Sequence, residues 1–413
     1  MQYFKHSELT DQYHVSLKTV HNWIDAAKQG KVALNLYRTK NRTYIANTPE
    51  NTILLTQLAE KGKKYRNTLH HKVVKPSKEF YDIYSRRQIL DIITNLKVHG
   101  EIPRQYNYMQ DGARNWDNWL RRLAKEESTN ILNGTVELLH TNMDAIERLL
   151  ADSEKINVID LGVGNAYPIK ELLGQLISRN ILHRYIAIDI SPSMLAIAKK
   201  NISMWYGDKV KFEGYVRDMS HEKFDDLLVD DMLRKDADDT INLVLLLGLT
   251  PANLRSPQDV LKVAHSSMGN RDLLVYSAKP DTDASRGYFD FSPTSGVKTT
   301  LSPNHQYILD LLNIDESFYD VEMGFDFIKR MRYVRIKLKT AITIDFNFED
   351  LQRSVALEKG DTILLLRVWH QTTLETISDF EKAGFTMLQS SLTKDRKAFL
   401  SISGVESKPA LEP

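Results

Sequence analysis

No cysteine occurs among the 413 residues. That absence excludes disulfides, a thiolate nucleophile and any cysteine-ligated zinc. No run of 18 apolar residues is present either, so no membrane span is predicted. The opening MQYFKHSELTDQ lacks the apolar stretch of a secretory signal, and a cytoplasmic location is the expectation. Net charge is nearly absent too, at +1, yet the balance hides an asymmetry. Residues 1–76 carry 13 Lys/Arg against 5 Asp/Glu, while the remaining 337 carry 42 against 49. A small basic front module joined to a larger, mildly acidic body is the natural division. The chain is long enough for two or three domains with their own cores. The polar end, residues 405–413, reads as a disordered tail.

In the front module Ser7 is placed to cap a first short helix, and Ser16 a second, LKTVHNWIDAAKQG. Leu17, Val20, Trp23, Ile24 and Ala27 share one face of that second helix, and Gly30 is placed to end it. VALNLYRTKNRTYIAN then reads as two strands around Thr39-Lys40-Asn41-Arg42, and Thr48-Pro49-Glu50 opens a further helix. The order resembles the winged helix-turn-helix of MerR and excisionase-like regulators, where S-x-x-T-V-x-x-W-I marks the recognition helix. The resemblance implies a domain over residues 1–70 that binds duplex DNA. Lys18, Thr19, His21 and Asn22 would face the major groove, with Arg38, Lys40 and Arg42 on the wing. The same pattern also serves as a protein-docking module. In related regulators the helix after the wing pairs two subunits; here a dimer contact and a spacer are both open. The basic, turn-rich stretch KYRNTLHHKVVKPSKEF reads as a linker, placed over residues 71–85. His70-His71 within its approach has no carboxylate at ligand spacing, and no metal is expected.

From Ile156 onward strands alternate with helices, which implies a parallel sheet with ligands at the carboxyl ends of its strands. INVIDLGVGNA brings an apolar strand into Gly162 and Gly164, spaced for a close approach of backbone to a ligand. A dinucleotide fingerprint would need a third glycine where Tyr167 stands, and Asp160 would repel a diphosphate. S-adenosylmethionine (SAM) has no phosphate and carries an ammonium and a sulfonium, which an acid attracts. Asp189 ends the second strand, 27 residues beyond Gly162, where a carboxylate accepts from both ribose hydroxyls. Ile190 and Met194 are placed to cover an adenine face, and Asp218 after the third strand to take its amino group.

These residues, with Asn165, resemble the class I SAM-dependent methyltransferases, whose motifs read D-x-G-x-G-N, D-x-S-x-x-M-L-x-x-A and a third-strand acid. Beyond them the chain looks like the histidine-specific family, which includes histidine Nα-trimethylating enzymes of ergothioneine synthesis and fungal dimethylallyltryptophan N-methyltransferases. The resemblance implies an α/β Rossmann-like sheet with a helical N-terminal cap and a distal strand insertion over residues 86–404. It also implies SAM as cofactor and a small-molecule acceptor. YMQDGARNWDNWL matches the family's Y-D-D-R-G-S-x-L-F and offers Tyr108; GLTPAN matches G-S-T-I-G-N and offers Asn253, which in the family contacts the substrate.

The departures fall on recognition of the acceptor. The family's T-E-N/V-S-x-K segment, whose acid and hydroxyl hold imidazole, falls on Leu366 and Val368, with Arg367, Trp369 and His370 nearby. A family lysine falls on Pro168, with Lys170 two residues later, and a substrate tyrosine is missing from KEESTNIL. Asp281, Asp283 and Arg286 lie on the loop after the fifth strand. An amine or other nucleophile of an amino-acid-like small molecule other than histidine is expected as acceptor, with no evident general base. The alternative is a transcription regulator whose methyltransferase-like body senses a ligand.

Overall fold

Alternation of polar and apolar residues produces most of the expected elements in the computed structural model, with instructive exceptions. The structure describes residues 3–39, 42–68, 71–126, 130–151, 154–229, 233, 240–248, 250–288, 299–348 and 351–405. The tail beyond Val405 and Lys40 of the wing lie outside them. The chain divides into one unit of Met1–Val73 with Thr340–Thr343 and Ala356–Glu358, and a second made of the remainder.

The first unit holds β1 (Tyr3–Phe4), α1 (His6–Tyr13), α2 (Leu17–Lys28), β2 (Leu36–Arg38), β3 (Thr43–Ala46) and α3 (Pro49–Thr68). Lys5, not Ser7, stands at the cap of α1, and its N–H donates to the Glu8 carboxylate at 2.8 Å. Ser16 caps α2 as expected, accepting from the Thr19 N–H at 3.2 Å. Gly30 follows α2 at φ 70°, a left-handed position that favours glycine. Val20, Trp23 and Ile24 bury one helix face against Leu9, Leu34, Ile45 and Leu55. Leu17, expected on that face, is exposed. The strands pair in the order β1-β3-β2. Asn51 is buried and ties the hairpin to α3: its amide accepts from Asn35 N–H and donates to the Asn35 and Ala46 carbonyls.

The segment expected as a linker is instead structured. It contains β4 (Lys72–Val74) and α4 (Lys78–Ile83), and Val74, Phe80 and Tyr84 are buried. Lys72, Lys75 and Lys78 interrupt a sparse apolar pattern that long-range partners complete. His71 is not solvated: it is buried, with Nδ1 3.0 Å from Thr343 Oγ1 and Nε2 3.3 Å from Glu358. His70 lies outside the described residues.

In the second unit α5 (Arg86–His99), a 3-10 turn at Arg104–Tyr108, α6 (Gln110–Leu123), α7 (Ile131–Thr141) and α8 (Met143–Leu149) precede the sheet. Then come β5 (Lys155–Leu161), α9 (Lys170–Ser178), β6 (Leu182–Asp189), α10 (Pro192–Tyr206), β7 (Phe212–Val216) and β8 (Thr240–Leu246). A short α11 (Thr250–Asn253), α12 (Pro257–Ser267), β9 (Leu273–Ala278), α13 (Asp283–Tyr288) and α14 (Pro303–Leu311) follow. The distal strands are β10 (Tyr319–Asp326), β11 (Met331–Leu338), β12 (Ile342–Phe348), β13 (Leu351–Leu357) and β14 (Thr362–Trp369). The chain returns through α15 (Thr373–Ala383), β15 (Phe385–Leu392) and β16 (Phe399–Val405).

The seven-stranded sheet has the order β15-β16-β9-β8-β5-β6-β7. β7, β6, β5, β8 and β9 are parallel, while β16 runs antiparallel to β9 and to β15. This is a doubly wound, Rossmann-like mixed sheet. Its central strands are buried on both faces, so they read as continuous apolar runs and support two separate cores. Strand order reverses at β5, which opens a crevice at the carboxyl ends. β10, β11 and β14 form a second antiparallel sheet. No helix among the described residues is long and apolar enough to cross a membrane.

Candidate active site

β5 delivers Asp160 to the crevice and turns at Gly162 (φ 72°) and Gly164 (φ 55°). A Cβ on Gly162 would lie 2.8 Å from Thr250 Cγ2, and one on Gly164 2.5 Å from the Trp116 ring. Both conformation and space therefore require glycine. The turn is pinned from two directions. Gly162 N–H donates to the Ile188 carbonyl at 2.8 Å, and the Asn165 amide donates to Asp117 Oδ1 at 2.8 Å while accepting from Tyr167 N–H.

Asp160 is buried and accepts from the Tyr185 hydroxyl at 3.0 Å. Burial pushes its carboxyl up to about 7 against that hydrogen bond, and the Asp189 charge adds to the rise. Asp189, at the end of β6, accepts from the backbone N–H groups of Ser191, Ile190 and Gly164; burial still pushes it up to about 6. Asp218 accepts from Ser220 N–H at 3.0 Å, while its neighbour Arg217 turns away to a bidentate pair with Asp226. These carboxyls line one cavity of about 1080 Å³. Gly162, Gly164, Asn165, Ile190 and Met194 share it, so all eight residues expected at a cofactor meet in one place.

Tyr108 and Asn253 line the same cavity. Ser191 Oγ donates to the Tyr108 carbonyl at 2.5 Å, and Arg104 Nε donates to its hydroxyl at 3.2 Å. The Asn253 Oδ1 is buried without a hydrogen-bond partner among the described residues. Leu366 and Val368 also face this space. Arg367 lies on the opposite side of β14, paired with Glu101, which also takes Arg255 at 3.1 Å. His370 is outside the cavity lining and packs on Phe325. Arg286 grips Asp281 bidentately rather than lining the cavity, and Asp283 is exposed. Lys170 lies 5.3 Å from the centre of the Trp205 ring, whereas Pro168 does line the cavity.

Several lining residues were not anticipated: Trp116, Lys279, Asn304, His305 and Arg332. Burial, with the charges of Arg332 and Lys397, holds the Lys279 ammonium down to about 7. Burial also drives His305 well below the usual histidine range. Its Nδ1 is 3.0 Å from Ser302 Oγ, and Nε2 has no hydrogen-bond partner among the described residues. Lys279 was legible, since it directly follows the apolar strand VYSA; His305 and Arg332 carry no local signal. Among the described residues no group of three or more His, Asp or Glu side chains is placed to hold a metal ion.

In the first unit Lys18 and Asn22 are exposed on α2, and Arg38 and Arg42 on the hairpin. Thr19 is spent on the helix cap, its hydroxyl 3.0 Å from Ser16 Oγ, and His21 sits edge-on to His6.

A doubly wound sheet with acids at three successive strand ends is the frame of a SAM-dependent methyltransferase, and sequence comparison agrees. Residues 86–402 match the family described as histidine-specific methyltransferase, SAM-dependent. The chain belongs to that family; it is an enzyme, and SAM is its cofactor. A comparison with curated proteins finds no match. Among solved structures, one similar chain is a SAM-dependent methyltransferase from Clostridium acetobutylicum, with 10% identity, 72% of this chain and 98% of that chain covered, and a TM-score of 0.37. Another is magnesium protoporphyrin IX methyltransferase from Synechocystis with bound S-adenosylhomocysteine (SAH): 13% identity, 73% and 98% coverage, TM-score 0.37. A glycopeptide N-methyltransferase complexed with SAM shares 12% identity over 66% of this chain and 94% of that one, with a TM-score of 0.33.

Proposed function

We propose that the enzyme methylates an amine of an amino-acid-like small molecule other than histidine. The gathering of the eight strand-end residues with Tyr108 and Asn253 in one cavity carries this reading. The donor set fits SAM. Asp189 would accept from the ribose hydroxyls, Asp218 from the adenine amino group, and Asp160 would attract the methionine ammonium. Ile190 and Met194 would cover the adenine. The bound cofactor supplies a methyl group on a sulfonium. Asn253 Oδ1, an unfilled acceptor, would take an N–H of the incoming amine and orient its lone pair. A panel of amines incubated with radiolabelled SAM tests the reading: transfer to none, with SAH still bound tightly, would favour a ligand sensor.

Residues 1–70, within the first unit, fit a winged helix-turn-helix that binds duplex DNA, with residues 86–404 as the methyltransferase domain. Its charge and the exposure of Lys18, Asn22, Arg38 and Arg42 support this. A dimer through α3 is part of the proposal, to be tested by sedimentation.

A further inference from the structure

β5 and β6 lie side by side, and their register sets Val158 opposite Tyr185 and Asp160 opposite Ala187. Tyr185, Ala187 and Asp189 alternate along β6, so they share one face of the sheet. Ala187 adds only a methyl to that face, and the Tyr185 hydroxyl reaches past it to donate to Asp160 Oδ2 at 3.0 Å. Both residues are buried, and the Phe212 ring packs edge-on to Tyr185 with centres 5.7 Å apart. Among the described residues this is the one hydrogen bond to the Asp160 carboxylate. On its other flank the register places Leu245 of β8 opposite Asp160, which offers no charge. The titratable groups acting on Asp160 are therefore Tyr185 and Asp189, both of β6. Burial and the Asp189 charge favour the neutral acid, and the hydroxyl opposes them. Tyr185 stays a donor, because burial beside that carboxyl drives its hydroxyl well above the usual phenol range.

We propose that Tyr185 is a positioning residue for the cofactor: its hydroxyl fixes the Asp160 carboxylate in place and keeps it ionised for the ammonium of SAM. The proposal rests on the reading of Asp160 as the acid that attracts that ammonium. A buried carboxyl deprived of its donor keeps its proton to higher pH. A neutral acid attracts an ammonium far less than a carboxylate does. The effect of the hydroxyl is thus confined to ligands that carry the ammonium, and it fades once the pH alone ionises Asp160.

The test titrates SAH and 5′-methylthioadenosine calorimetrically into the full-length protein. The two share adenine, ribose and sulfur, and only SAH carries the amino-acid end with its ammonium. Tyr185→Phe keeps the ring and removes the donor. At pH 6 it should weaken SAH at least about tenfold, the equivalent of one pKa unit, and leave 5′-methylthioadenosine unchanged. The pH at which SAH affinity reaches half its plateau should rise by about one unit or more, since losing a donor to the charged form raises the pKa of an acid. In Asp160→Asn, which has no charge to hold, Tyr185→Phe should add nothing further. An equal loss for both ligands would mark a packing defect and overturn the proposal, as would an unmoved pH midpoint. SAH affinity that is lowered by Asp160→Asn but untouched by Tyr185→Phe sinks the proposal alone. SAH affinity untouched by Asp160→Asn sinks the placement of the ammonium, and the proposal with it.

Discussion

Trp369 Nε1 donates to the carbonyl of Leu254 at 2.8 Å. The bond joins β14, which supplies Leu366 and Val368, to the end of α11, which supplies Asn253. The apolar wall and the polar acceptor of the chamber are thus held at one spacing. Trp369→Phe keeps the ring and removes the donor, stranding a carbonyl at a cost of about 1–3 kcal/mol. Acceptor KM should rise, with SAH affinity unchanged. An unaltered KM would show that the bond does not set the spacing.

Asp189→Ala should weaken SAM binding by about 1.5–3 kcal/mol for each charged hydrogen bond removed, readable by calorimetry. Unchanged affinity would refute the placement of the ribose at β6.

The raised carboxyls predict opposite pH trends for stability and binding. Asp160 and Asp189 are protonated in the folded, ligand-free protein up to about 7 and about 6, whereas in the unfolded chain they ionise near about 3.9. The folded state therefore holds more protons in that window, and stability falls as pH rises through it. Cofactor groups favour the ionised carboxylates, so SAM affinity should climb from pH 5 to 7 and then level. Asp189→Asn should flatten part of the melting-temperature trend. A ligand-free protein that melts higher at pH 8 than at pH 5 would contradict the assignment.

Gly164→Ala places a methyl in a left-handed position against Trp116. Strain of about 1–3 kcal/mol is expected, seen as a lower melting temperature together with weaker SAH binding.

Histidine should be a poor substrate. Leu366 and Val368 offer imidazole no acceptor, and an N–H stranded against them costs about 1–3 kcal/mol. Turnover of histidine at about 1 s⁻¹ or faster would overturn this, because that is an ordinary enzymatic rate.

Full-length protein should bind duplex DNA less tightly as salt rises. Replacing Lys18, Arg38 and Arg42 by alanine should lower the salt slope by about one for each phosphate no longer neutralised. Binding that ignores salt would make the first unit a docking module.

The cluster of eight strand-end and turn residues that share the cavity was legible in the chain because it is local. A strand ending in an acid, a glycine pair held at positive φ, and an acid closing the next strand are each written within a dozen residues, and periodicity supplies the sheet that aligns them. The helix cap at Ser16 and the turn at Gly30 were readable for the same reason. The departures at Leu366 and Val368 could also be read, but not what stands opposite them. Lys279, His305 and Arg332 come from a strand end, a helix start and a distant hairpin, up to 53 positions apart, and only register and packing bring them to one cavity. The same holds for residues 71–85: the basic, turn-rich run leading into them suggested a linker, while burial of Val74, Phe80 and Tyr84 depends on partners elsewhere in the chain. Local chemistry is encoded by neighbours in sequence, whereas the charge and shape of the acceptor chamber arise from long-range packing that no single segment contains.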